Sequence, residues 1–194
     1  MRALTRLLPA ACCLAVALFA VGAARADDPA GFRRYELPNR DTLELTLPAG
    51  WEDQLEQPEG GGPPTIVMGI RPGGPRQVFI TPEWPDPTGK EVRELAQLRD
   101  AIRDAAERVK PQAVEPYLEV RQLNGANGVG YYFAATDRDP GPGEFKYMNQ
   151  GALQVGTLTL WFTILADDGE DTVAVEALAM LQAATHRRTG LDQL

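Results

Sequence analysis

Gly130-Tyr131-Tyr132-Phe133-Ala134-Ala135-Thr136, then Phe145 to Gln150, then Leu153 to Leu165: within the stretch from Asn127 to Ala166, three runs of strand-forming residues follow one another. Aromatic, β-branched and aliphatic side chains carry them, and polar or glycine-containing segments separate them. In the last run Leu158, Leu160, Phe162 and Ile164 alternate with Thr157, Thr159, Trp161 and Thr163. A period of two sends one set to each face of a sheet. The aliphatic set is the expected core, and the hydroxyl set with its single indole suits a partly exposed face. The stretch therefore reads as the centre of an antiparallel sheet.

Working outward toward the N-terminus, Asn124-Gly125 and Asn127-Gly128 lie between this stretch and a strand predicted over Tyr117 to Leu123, a strong hairpin signal. Before it, Val92, Leu95, Leu98, Ile102, Ala105, Ala106 and Val109 recur at spacings of three and four, which predicts an amphipathic helix from Lys90 to Lys110. Thr88 stands at its cap position and Pro111 ends it. Pro82 to Pro87, with Trp84, reads as a linker. Thr65 to Ile70 and Gln77 to Thr81 read as a hairpin with Ile66, Met68, Ile70, Val78 and Ile80 inward. Glu52 to Pro64, rich in glycine and proline, reads as a surface loop. Two more strands are predicted over Tyr35 to Leu37 and Thr42 to Leu47, the second alternating Leu43, Leu45 and Leu47 with polar residues.

Toward the C-terminus, the acidic turn from Asp167 to Asp171 opens a final helix, where carboxylates complement the helix dipole. Ala174, Ala177, Leu178, Leu181 and Ala184 form its packing stripe, and His186, Arg187 and Arg188 are expected near its C-terminal end.

The first residues fit none of these periods. Arg2 and Arg6 precede an apolar stretch from Leu7 to Ala24, and Ala24-Arg25-Ala26 follows it. These are the parts of a secretory signal, so residues 1–26 are expected to be removed after Ala26. A retained anchor is the rival reading, although Pro9 and Gly22 interrupt the run. Cleavage leaves 168 of the 194 residues, from 27 to 194, as a single domain without cysteine, because Cys12 and Cys13 lie in the leader. The expected location is the bacterial periplasm, or outside the cell, with no stable membrane insertion. Loss of Arg2, Arg6 and Arg25 takes the basic count from 19 to 16 against 27 acidic residues, and the formal charge from −8 to −11. That balance repels phosphate backbones and excludes nucleic acid as a natural partner.

Catalytic chemistry finds little to work with. Serine is absent, and His186 is the only histidine, with no second histidine or cysteine to share a metal. No cofactor and no metal site is expected, and the protein reads as a non-enzyme. Asp137, Asp139 and Glu144, set among Gly141 and Gly143, are the most site-like cluster, because hard oxygens around a glycine turn suit calcium. The glutamate arrives too early for an EF-hand loop, so a solvated turn competes with that reading. Trp84, Trp161 and Tyr131 are the aromatic candidates for a contact surface, since such rings bury large areas and keep a polar handle. Trp51 reads as a core plug.

The order of elements, with Leu47-Pro48-Ala49-Gly50-Trp51 closing an early strand and Gly130-Tyr131-Tyr132-Phe133 opening the late hairpins, resembles the PsbP-like superfamily across nearly the whole mature chain. That group includes the extrinsic photosystem II subunit, the Mog-type Ran-binding factor and exported bacterial proteins of the DcrB kind. The resemblance implies an α+β fold: an α/β/α sandwich whose central, mostly antiparallel sheet of about six to eight strands carries helices on its faces. It also implies a non-catalytic role in binding other proteins, here an unknown partner in the cell envelope. With no plastid or nuclear address, neither photosystem nor Ran function transfers. The alternative is a periplasmic small-molecule or calcium-binding protein.

Overall fold

The computed structural model describes residues 31–37, 41–59, 62–70, 76–84, 94–167 and 171–188. The expected leader, the cap at Thr88 and the first turn of the expected first helix lie outside them. In chain order the elements are β1 (Phe32–Glu36), β2 (Thr42–Thr46), β3 (Glu52–Glu56), β4 (Thr65–Gly69), β5 (Arg76–Glu83), α1 (Leu95–Val109), a 3-10 turn (Lys110–Gln112), β6 (Arg121–Gly125), β7 (Gly128–Thr136), β8 (Tyr147–Val155), β9 (Leu158–Ala166), α2 (Asp171–Gln182) and β10 (Thr185–Arg187).

Seven strands form the main sheet in the order β3-β4-β5-β9-β8-β7-β6, antiparallel at every joint. β9 and β8 stand at its centre, as their patterning predicts. Leu158, Leu160, Phe162 and Ile164 are all buried, and with Ile66, Met68, Val78, Ile80 and Leu153 they make one face into the larger core. Above that face lie α2 and a second sheet of order β1-β2-β10. On the other face Leu98, Ile102 and Ala106 of α1 pack against Phe133, Ala135 and Ala152. These three helix residues recur every four positions, so one stripe enters the core while Arg99, Asp100, Arg103 and Asp104 stay in solvent. Helices thus cover both faces, as the resemblance implies.

Several details depart from the sequence reading. The loop expected from Glu52 contains a strand, β3, which is polar because it is the sheet's edge and only Asp53 and Leu55 are even half-buried within it. Ile70 is 44% exposed rather than inward, since β4 ends at Gly69. β5 runs on through Pro82 and Glu83, past the last residue that pairs with β4, where a missing proline N–H is tolerated. β6 begins at Arg121 rather than Tyr117, and its hairpin turns on Ala126 and Asn127 with Gly125 and Gly128 paired. The long apolar run divides at Gly156 and Thr157, where Gly156 takes φ +61°, a value that favours glycine.

The largest departure is at the C-terminal end. The final helix stops at Gln182, and Thr185, His186 and Arg187 pair with Glu44, Leu43 and Thr42 as a strand. His186 is therefore no partner of the helix dipole. Its Nδ1 accepts the Thr157 N–H at 3.3 Å, which leaves the proton on Nε2 to meet Asp41 Oδ2 at 3.1 Å. Glu44, 5% exposed, takes Arg34 on one oxygen at 3.1 Å and Arg187 on the other at 2.7 Å. One buried carboxylate so ties all three strands of the small sheet. A second tie joins this sheet to β3: Asp53 accepts Arg33 Nε at 2.8 Å and the Tyr35 hydroxyl at 2.9 Å. Burial, reinforced by the Asp53 carboxylate, pushes the Tyr35 phenol far above its ordinary range, so it remains a neutral donor.

Candidate functional site

The helix-covered face places α1 over β7 and β8 and leaves β9, β5 and β4 beside it. Tyr131, Ala152 and Trp161 sit on one rung across β7, β8 and β9. Ala152 is wholly buried under the helix, so Tyr131 and Trp161 flank α1 on opposite sides. Over Tyr131 the Arg99 guanidinium lies 5.9 Å from the ring centroid, a loose cation–π approach. Trp161 is held more firmly, because its Nε1–H donates to Glu83 Oε2 at 2.7 Å, a charge-assisted bond that fixes the indole.

Alongside α1 this arrangement leaves a groove of about 400 Å³. Ala101, Ala105 and Arg108 form its helix wall, and Phe79, Trp161 and Thr163 its sheet wall. The alanines keep the wall low, which is why the helix does not fill the space. One step further along β9, Leu165 borders a second, open hollow of about 700 Å³ next to the 3-10 turn that follows α1, lined by Pro111, Gln112 and residues of the loop from Asp137 to Phe145. Thr163 and Leu165 share a face of β9, so a trough runs from the indole toward the acidic loop.

The acidic loop is held from within. Asp137 Oδ1 accepts the Asp139 N–H at 3.0 Å, and Glu144 Oε2 accepts the Gly141 N–H at 2.8 Å. Arg138 Nη2 donates to the Ala113 carbonyl at 2.7 Å, which pins the loop to the segment after α1. Among the described residues no three acidic, histidine or cysteine side chains converge as metal ligands. The Asp137 and Glu144 carboxylates thus each accept a backbone N–H within the turn.

Trp161, Asp137, Asp139 and Glu144 therefore lie along one side of α1, and Tyr131 lies on its other side. Trp84 does not join them; it is half-buried against the larger core, under the opposite face. Trp51, 6% exposed, is in that core as well. Glu83, Phe79 and Arg108 went unnoticed in the sequence. Glu83 falls in what reads as a linker, and Arg108 is one charge among many on the helix; neither has a local signal, because the partners that give them meaning are remote in the chain.

No known family model matches the sequence, and no curated protein matches it. Solved structures do. The solution structure of cyanobacterial PsbP (CyanoP) from Synechocystis sp. PCC 6803 is similar with a TM-score of 0.50 and 11% identity, over 84% of this chain and 96% of that one. A crystal structure from Bacteroides thetaiotaomicron VPI-5482 gives 0.47 and 13% identity over 81% of this chain, which spans about half, 49%, of that longer one. LpqN, involved in cell envelope biogenesis of Mycobacterium tuberculosis, gives 0.48 and 14% over 78% of this chain and 86% of that one. At such identities the likeness is one of architecture: the fold of this chain is PsbP-like.

Proposed function

We propose that this is a non-catalytic accessory protein of the bacterial cell envelope, exported to the periplasm after loss of residues 1–26, which works by holding another protein in the trough beside α1. The observation that carries the reading is the Trp161 indole, fixed by Glu83 at the mouth of a groove whose other walls offer Phe79, threonine hydroxyls and Arg108. Tryptophan and arginine in such settings are the usual anchors of protein contacts. The leader supports export. The only histidine is engaged by Asp41 and Thr157, and the acidic loop by its own backbone, which supports a binding role over a catalytic or calcium-dependent one.

Photo-crosslinking in living cells tests this. A photoreactive side chain at Arg108 or at Thr163 is expected to capture one and the same envelope protein, and the same probe at Gln122, on the far edge strand, is expected to miss it. Equal capture from all three positions, or none from the trough, would refute the proposal.

A further inference from the structure

Phe133, Gln150, Thr163 and Phe79 form one rung across β7, β8, β9 and β5, next to the rung that carries Trp161. Phe133 is buried under α1, whereas Gln150 and Thr163 are half-buried and line the groove beside it. Among the described residues that line this groove, Arg108 alone carries a charge. No carboxylate lines it, in a chain where 27 acidic residues outnumber 19 basic ones.

Three polar groups of the lining are uncommitted. Elsewhere on α1 Arg103 pairs with Asp100 at 2.7 Å, and Lys110 just past its end pairs with Glu107 at 3.7 Å. Arg108, exposed in the last turn, makes no ion pair with any described residue, and the Gln150 amide and Thr163 hydroxyl make no hydrogen bond to one. The other polar groups of the lining are engaged: the Thr81 hydroxyl shares a hydrogen bond with Thr65 at 2.8 Å, and the Trp161 N–H goes to Glu83. What the groove has left to give is a guanidinium, an amide NH₂ and a hydroxyl, all of them donors. A carboxylate accepts from each, and its two oxygens match the guanidinium fork. A cation would meet like charge, and a neutral acceptor would leave the guanidinium unpaired. Further along the trough the sign reverses, because Asp137, Asp139 and Glu144 line the adjoining hollow and its Arg138 donates to the Ala113 carbonyl. An acid is therefore favoured at the Arg108 end and disfavoured at the other.

Resting on the reading of this trough as the seat of a partner protein, we infer that the partner's contacting segment carries an acidic side chain there. Arg108, with Gln150 and Thr163, takes its carboxylate, and Phe79 and Trp161 meet an apolar neighbour.

The test is a titration of the ¹⁵N-labelled protein with acetyl-Ala-Glu-Leu-Ala-amide, followed by NMR. The peptide is expected to move the Gln150 side-chain NH₂ signals and the Trp161 indole N–H. Replacing its Glu by Gln, of the same shape but uncharged, should weaken binding about tenfold. In Arg108→Gln, an exposed helix position, the two peptides should bind alike, because the group that distinguishes them is gone. Asn149→Ala, on the opposite face of β8, should keep the full preference. Equal binding of the two peptides, or a preference that survives in Arg108→Gln, would overturn the inference and leave the trough as a binding site for polypeptide of another kind. Unmoved signals with both peptides would overturn it too, and the photo-crosslinking described above then decides separately whether the trough holds a protein. Binding of acetyl-Ala-Gln-Leu-Ala with a free terminal carboxylate, but not of the Glu peptide, would likewise overturn it, by making this a site for chain ends.

Discussion

Glu44 shows how much a single side chain can organise. Its carboxylate is 5% exposed and both its oxygens are used, yet the two arginines it binds reach solvent, with Arg187 64% exposed. Removing the carboxylate strands no buried cation, so Glu44→Ala should cost about 2 kcal/mol rather than the larger penalty of a fully buried pair. A lower urea midpoint with an unchanged slope would register it. Gly151 is constrained by packing: a Cβ there would lie 2.5 Å from the Tyr131 carbonyl oxygen, 2.5 Å from Tyr132 Cβ and 2.6 Å from Phe162 Cζ. Tyr132 and Phe162 flank this glycine on its rung. Gly151→Ala should therefore destabilise the fold by about 3 kcal/mol, measured in the same way. Glu115 predicts a pH effect. Burial alone would raise its carboxyl, but the Thr136 N–H and hydroxyl outweigh it and hold the group below its ordinary value of 4.5. A depressed folded value contributes stability that is present above about 4.5 and lost as pH falls through the folded value. The stability of Glu115→Gln should lack that acid-side decline when the two proteins are unfolded in parallel from pH 7 to pH 3.

At the scale of elements, α1 is attached by one stripe. Leu98 and Ile102 are 0% and 1% exposed, so Ile102→Ala should cost about 3 kcal/mol and loosen the helix from β7, with faster amide exchange in α1 than in β9 as the signature. The helix and the central strands were legible in the sequence because each carries its own period, four in α1 and two in β9. β3 and β10 were not. β3 is a charged edge with no buried face to announce it, and β10 is three residues long and is fixed by Glu44 and Asp41, more than 140 residues earlier in the chain. Patterns local to a segment reveal segments that pack by themselves, and a strand recruited by distant carboxylates leaves no such mark. The site follows the same rule: Trp161 stood out for its type, whereas the Glu83 that orients it lay hidden at the end of a proline-bearing strand.

Among the described residues the seven-stranded sheet carries a different cover on each face, α1 with the segment that follows it on one side and α2 with the small sheet on the other. Because α1 packs chiefly on β7 and β8, Phe79, Trp161 and Thr163 on the neighbouring strands of that face are only half-buried, and the trough with Trp161 follows from that incomplete cover. The central claim is that this trough holds a partner protein. Affinity isolation from cells producing the tagged protein, compared with Thr163→Arg, tests it most directly, because Thr163 is half-buried in the trough wall and outside the two cores. The wild type should recover the same envelope protein in every replicate, Asn149→Ala should retain it, and Thr163→Arg should lose it at least tenfold. Recovery of that protein by Thr163→Arg at the wild-type level would contradict the claim.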